Sequence, residues 1–143
     1  MEAVYFGTCT IWNKGGGSGP WVMGDLENGL WAGNSSPYEA NTSVPTVNTY
    51  VTGMVKGDKA GANHWTIKNG NAQSGPLTTV FDGQRPSTRY NPMRKEGAII
   101  LGTGGDNSSS GQGNFFEGLM TAHYSSDAAD DAVQANIVSV YGQ

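Results

Sequence analysis

Charge is scarce in this 143-residue chain: 8 Lys and Arg against 12 Asp and Glu, together 14% of the residues. A net charge of −4, with no basic cluster beyond Arg94-Lys95, argues against a nucleic-acid partner. Cysteine is reduced to Cys9, so an internal disulfide is excluded. His64 and His123 are the only histidines and are scattered, which leaves no zinc constellation and no metal site to assign. No apolar run approaches the length of a membrane span, so no membrane partner is expected. The opening Met1-Glu2-Ala3-Val4 lacks the basic segment and apolar run of a secretory signal.

What is abundant is glycine, 22 residues, together with Ser, Thr and Asn. That composition predicts many short strands joined by tight turns, and the length suits one domain with a modest core. Glu2–Gly7, Thr8–Trp12, Asn48–Lys56, His64–Lys68, Leu77–Phe81 and Asn114–Tyr124 read as strands from their β-branched and aromatic content. The Asn48–Lys56 strand alternates and is expected to be half exposed. Asn69-Gly70-Asn71 and Asp82-Gly83 read as turns. Glu96–Gly102 is the most apolar strand and is expected at the sheet centre. Ser125-Ser126-Asp127 reads as the cap of a C-terminal helix with Ala132, Val133, Ile137 and Val140 on one apolar face. Asp127, Asp130 and Asp131 in its first turn fit the helix dipole and are given a structural role. The three N-x-[ST] sequons, at Asn34, Asn41 and Asn107, weakly favour a secreted protein whose signal lies outside this chain.

Two acidic places stand out. In Gly19–Trp31, read as a strand, Asp25 and Glu27 share one face with Trp21 and Met23. Two carboxylates beside aromatics suit the wall of a polar cleft; a solvated acidic face is the plainer reading of an isolated DxE. The second place is Asp106, just after Gly104-Gly105, where the backbone can turn tightly and a ligand can approach closely. An Asx-turn accounts equally well for that segment taken alone. Neither glycine cluster is a phosphate or dinucleotide loop: Gly15–Gly19 ends in no Gly-Lys-Ser/Thr, and Asn107 occupies the third glycine position after Gly102-x-Gly104. Trp12 is either a core indole or a platform on which a sugar stacks. His64 lies far from any second ligand and reads as a surface or strand-edge histidine.

Five strings carry a resemblance. They are Met1–Gly7 (MEAVYFG), Gly19–Leu30 (GPWVMGDLENGL), Tyr90–Gly102 (YNPMRKEGAIILG), Gly104–Ser108 (GGDNS) and Val133–Val138 (VQANIV). In order and spacing the chain resembles the C-terminal half of the catalytic domain of glycoside hydrolase family 54 α-L-arabinofuranosidases. The resemblance implies an all-β, concanavalin-like sandwich of the jelly-roll type, 1–143 forming a single domain short of the family's full length, with one C-terminal helix. It also implies Glu27 as nucleophile and Asp106 as general acid/base, with Trp12, Asp25, Asn28 and Gly105 lining an arabinose pocket. A retaining glycosidase holds two such carboxyls about 5–5.5 Å apart. The chemistry needs no cofactor. The expected partner is an arabinose-containing plant polysaccharide or oligosaccharide, with association of chains through exposed sheet edges. The alternatives are a non-catalytic carbohydrate-binding sandwich and an inactive fragment.

Overall fold

The computed structural model describes residues 3–11, 14–26, 30–33, 48–58, 62–85, 101–102 and 109–143. The first β-sheet has the order β3-β2-β1-β7, from β3 (Leu30–Trp31), β2 (Trp21–Asp25), β1 (Ala3–Gly7) and β7 (Leu101–Gly102). The second has the order β4-β5-β6, from β4 (Val51–Gly57), β5 (His64–Asn71) and β6 (Ser74–Gln84). One helix, α1 (Asp127–Tyr141), follows. The protein is thus mostly β, two sheets and a C-terminal helix, as the composition implied.

Strand alternation divides the first sheet into two faces. Val22 and Leu26 point at Trp65 and Ile67 of β5, with Trp31, Val4, Phe6, Val51, Val55, Val80 and Phe81 filling the space between the sheets. Gly24 is required here, since a Cβ would lie 2.9 Å from the Trp65 ring. The opposite face carries Tyr5, Trp21 and Met23, packed with Cys9, Leu30 and Ala32. Every residue of β2 is buried, so this strand has a layer on each side.

The run Gly19–Trp31 is not one strand. β2 ends at Asp25, which faces Leu30 across an antiparallel turn, so the alternation argument that set Glu27 beside Asp25 stops at Asp25. Thr8, Cys9 and Thr10 form no strand either; the Cys9 amide donates to the Tyr5 hydroxyl, 2.8 Å away, in place of a ladder partner. β7 stands at the end of its sheet among the described residues, paired parallel with β1 through Val4↔Leu101 and Tyr5↔Gly102, whereas the Glu96–Gly102 string pointed to the centre. The β5–β6 hairpin turns at Ala72-Gln73, because the Asn71 carboxamide accepts from the Gln73 amide at 2.9 Å and donates to Ser74 at 3.3 Å. The strand therefore runs straight through Asp82-Gly83, which pair with Thr66 and Trp65.

The helix begins where the sequence indicates: Ser126 is the N-cap and accepts from the Ala129 amide at 3.2 Å. Its docking face is polar, though, where an apolar one was expected. Asp130 and Gln134 are buried, Val133 and Ile137 are half-buried, and Ala132 and Val140 are exposed. Under the helix lie Lys56 and Lys68, at 6% and 4% exposure, so the polar face of β4 is covered and not solvated. Asp130 lies 2.7 Å from both ammonium groups and accepts from Ser125 at 2.5 Å; Asp127 lies 2.6 Å from Lys68. Gln134 donates to the carbonyls of Asn71 and Gly75 at 2.9 and 3.0 Å, tying the helix to the hairpin turn.

Burial pushes the Asp130 carboxyl up, but hydrogen bonds from Lys56, Lys68 and Ser125 outweigh it and hold the group below its ordinary range. Asp127 is held down chiefly by Lys68. Lys68 is pulled down by burial, yet its bonds to Asp127 and Asp130 push it up to about 12. The carboxylate contributions are present above about pH 3.9 and are lost as pH falls through the depressed folded values. The Lys68 contribution is complete below about pH 10.4 and is lost as pH rises through about 12. Urea midpoints should therefore show no slope from this network between about pH 5 and 10 and should fall below about pH 4. Asp130→Ala leaves two buried ammonium groups short of a partner and should cost about 3–5 kcal/mol in urea unfolding at pH 7.

Candidate active site

Asp25 is the last residue of β2, paired with Ala3 on one side and Leu30 on the other. It stands on the face of the first sheet that points away from the second, alongside Met23 and Trp21. At 2% exposure it is a buried carboxylate, not a member of a solvated acidic face. A carboxylate does not sit at such a place without polar surroundings, because an unpaired buried charge is costly.

Tyr5 organises the neighbourhood. It is fully buried, and its backbone lies between Met23 of β2 and Gly102 of β7. Its hydroxyl donates to the Ser109 carbonyl at 2.6 Å and accepts from the Cys9 amide at 2.8 Å. Burial pushes the phenol up, with the Cys9 amide pulling the other way, so the group is a neutral donor at ordinary pH. One residue thus holds Gly102 and Ser109, the two ends of the segment that contains Gly105 and Asp106. A side chain at position 7 would intrude here, since a Cβ on Gly7 would come within 2.6 Å of the Ser110 carbonyl. The glycine-rich turn before β2 is also anchored, through the Trp21 indole donating to the Gly16 carbonyl at 2.6 Å.

Of the residues singled out in the sequence, Asp25 is placed on this face. Trp12, Glu27, Asn28, Gly105 and Asp106 lie outside the described residues, as do the three sequons. The described ends of the two acidic segments can be located. Asp25 pairs with Ala3, and Gly102 pairs with Tyr5, two residues further along β1 and one strand beyond it. With strands about 4.8 Å apart and about 3.4 Å per residue, the two departure points are roughly 12 Å from each other. β7 runs toward the Gly7 end of β1, and the chain is back at the Tyr5 hydroxyl by Ser109.

A second polar cluster was not expected. His64 lies beside Asp82, 3.7 Å from Asp58, and its ring is tilted against Tyr124 at 5.2 Å, so it is not isolated. Tyr124 in turn meets the Thr66 hydroxyl and lies under the Lys56 ammonium at 4.3 Å. The cross-strand pair Thr66↔Asp82 builds this cluster, a pairing hidden in the sequence by the Asp82-Gly83 turn signal. Among the described residues no group of three or more His, Cys, Asp or Glu is arranged to hold a metal ion.

A two-sheet sandwich with a buried acid on the outer face of one sheet defines the architecture, and comparison with known proteins defines the family. The family described as "Alpha-L-arabinofuranosidase B, catalytic" matches residues 1–142, and the chain belongs to it. It is 55% identical over 141 residues to the alpha-L-arabinofuranosidase B of Aspergillus oryzae, covering 97% of this chain and 27% of that protein. The same figures hold for the arabinofuranosidase/B-xylosidase of Trichoderma koningii. Among solved structures it resembles a GH54 α-L-arabinofuranosidase soaked with a cyclic sulfate inhibitor, at a TM-score of 0.85 and 48% identity, covering 99% of this chain and 29% of that one. It is equally similar to an arabinofuranosidase complexed with arabinofuranosyl-α-1,2-xylobiose, with a TM-score of 0.85 and 48% identity. The chain spans about a quarter of the length of the relatives it matches.

Tyr5→Phe keeps the packed ring and deletes the hydroxyl that joins Cys9 to Ser109. It should destabilise the protein by about 1–3 kcal/mol in urea unfolding, the cost of buried polar groups left unmatched. An unchanged midpoint would show that the hydroxyl does not hold the two segments.

Proposed function

We propose that this chain carries the catalytic carboxylates of a retaining α-L-arabinofuranosidase that releases terminal arabinofuranose from arabinan or arabinoxylan side chains. Asp25 carries this reading: a carboxylate buried at the C-terminal end of β2, two positions before Glu27, in a chain matched to a glycosidase catalytic family over residues 1–142. The relative bound to arabinofuranosyl-α-1,2-xylobiose supports the substrate class.

Glu27, ionised, attacks the anomeric carbon as the glycosidic C–O bond breaks, and Asp106 gives its proton to the departing oxygen. The resulting glycosyl ester on Glu27 is opened by water. Asp106 takes the water proton, the new C–O bond forms at the anomeric carbon, and Glu27 leaves as carboxylate. Asn28 donates a hydrogen bond to the sugar, Asp25 holds sugar hydroxyls, and Trp12 and Gly105 shape the pocket. Residues 1–143 act as part of one catalytic domain in a secreted protein, on an arabinose-containing polysaccharide or oligosaccharide.

Since the chain spans about a quarter of its relatives' length, part of the cleft wall lies in polypeptide it lacks, and the isolated chain turns over slowly. A misplacement of about 1 Å costs on the order of a hundredfold in rate. The test is hydrolysis of 4-nitrophenyl α-L-arabinofuranoside and of an arabinofuranosyl xylo-oligosaccharide, by this chain and by a form extended to the family's length. The extended form should be the faster. In it, Glu27→Gln should reduce both reactions to background. Asp106→Asn should lower turnover of the oligosaccharide by about 10²–10⁴-fold and affect the nitrophenyl substrate less, because that leaving group hardly needs a proton. Sugar binding without turnover in the extended form would favour a non-catalytic carbohydrate-binding sandwich. Full turnover by Glu27→Gln would exclude its role as nucleophile.

A further inference from the structure

The Tyr5 ring packs in one cluster with Cys9, Trp21, Met23, Leu30 and Ala32, a layer that a phenylalanine would complete as well. Packing therefore gives no reason for the hydroxyl. That oxygen accepts from the Cys9 amide at 2.8 Å and donates to the Ser109 carbonyl at 2.6 Å, 104 positions away in sequence. Cys9 stands three positions before Trp12, and Ser109 three positions after Asp106. One buried oxygen thus joins the two segments that lead to these residues.

The backbone on either side of residues 103–108 has to be held in place. Gly102 ends β7 at φ 86°, and Ser110 follows the segment at φ 66°, a left-handed conformation that is uncommon for a residue with a side chain. Such a conformation persists only where the surroundings fix it, and it clusters at functional sites. Here Tyr5 bonds the carbonyl immediately before Ser110. The hydroxyl is itself fixed, because its ring is fully buried and its backbone is paired on both sides, with Met23 and Gly102.

We propose that Tyr5 is a positioning residue of the glycosidase site: through the Ser109 carbonyl, its buried hydroxyl sets where the Asp106 carboxyl meets the departing oxygen. The inference rests on the acid/base role proposed for Asp106. Tyr5 transfers no proton itself. Placement matters because an acid must stand within about 2.6–3.2 Å of the atom it protonates. A displacement of about 1 Å costs on the order of a hundredfold in rate.

The test uses the form extended to the family's length and reads kcat/KM, which reports formation of the glycosyl ester. Two substrates are compared: an arabinofuranosyl xylo-oligosaccharide, whose leaving oxygen needs a proton, and 4-nitrophenyl α-L-arabinofuranoside, whose leaving group hardly does. Tyr5→Phe should lower kcat/KM at least about tenfold on the oligosaccharide and less than about threefold on the nitrophenyl substrate. In an Asp106→Asn background no acid is left to place, so the same substitution should cost less than about twofold on either substrate. Gly7→Ala tests the same bond without deleting it, since the added Cβ would crowd the Tyr5 hydroxyl and come within 2.6 Å of the Ser110 carbonyl. It should also lose more on the oligosaccharide than on the nitrophenyl substrate. Gln134→Ala removes the helix bonds to Asn71 and Gly75 on the second sheet; it should lower the urea midpoint and leave the substrate ratio unchanged. Equal losses on both substrates, or a full Tyr5→Phe loss that persists in the Asp106→Asn background, would make the hydroxyl a structural tie alone. Either result would overturn the inference and leave the acid/base role of Asp106 standing. If Asp106→Asn itself lost no more on the oligosaccharide than on the nitrophenyl substrate, that role would fail and the positioning role with it.

Discussion

Everything in the first sheet depends on β2 being buried on both faces. A strand with one wet face would present Trp21, Met23 and Asp25 to water, and the sheet would serve only as one wall of the core. Here the inner residues Val22 and Leu26 join the two sheets, while the outer residues are covered by Tyr5, Cys9, Leu30 and Ala32. The outer layer is what makes a buried carboxylate at the end of β2 possible. It also explains the place of Tyr5, whose ring fills that layer while its hydroxyl ties down two loops.

The second sheet solves a different problem with a different interaction. Its outer face carries Lys56 and Lys68, and the helix covers them with Asp127 and Asp130. Ion pairs removed from water gain little over apolar packing but are strongly specific about their partners. The helix is thus tied to β4 and β5 by these ion pairs and to the β5–β6 turn by Gln134. Beside this closed polar surface the 114–120 stretch is apolar and exposed, with Phe116 against Tyr141 of the helix.

Local signals were legible where one short-range cause decides the outcome. The Ser126 cap, the strands at Ala3–Gly7 and Val51–Gly57, the His64–Lys68 part of β5 and the all-β class follow from propensity and period, whereas Asn69-Gly70-Asn71, read as a turn, pairs with β4 and continues the strand. Signals failed where a distant partner decides. Asp82-Gly83 has turn chemistry, but the Asn71 side chain closes the hairpin ten residues earlier, at Ala72-Gln73, and draws both into the ladder. Asn114–Tyr124 has strand chemistry and pairs with no strand among the described residues. The helix face reads as apolar because nothing in residues 127–141 announces Lys56 and Lys68. Of the candidate site, Asp25 was legible as an acid on the Trp21–Met23 face, and its burial was not, since that depends on Tyr5 and Leu30 arriving from other segments. The roles proposed for Glu27 and Asp106 come from the family strings and not from local pattern.

The proposed function needs two carboxylates, 79 positions apart in sequence, to share one cleft. The most direct measurement is a crystal structure of the chain extended to family length, soaked with an arabinofuranoside, from which the separation of the Glu27 and Asp106 carboxyl groups is read. The account predicts about 5–5.5 Å, with the anomeric carbon between them. A separation beyond about 10 Å would contradict it, because even inverting pairs lie within roughly 9.5 Å.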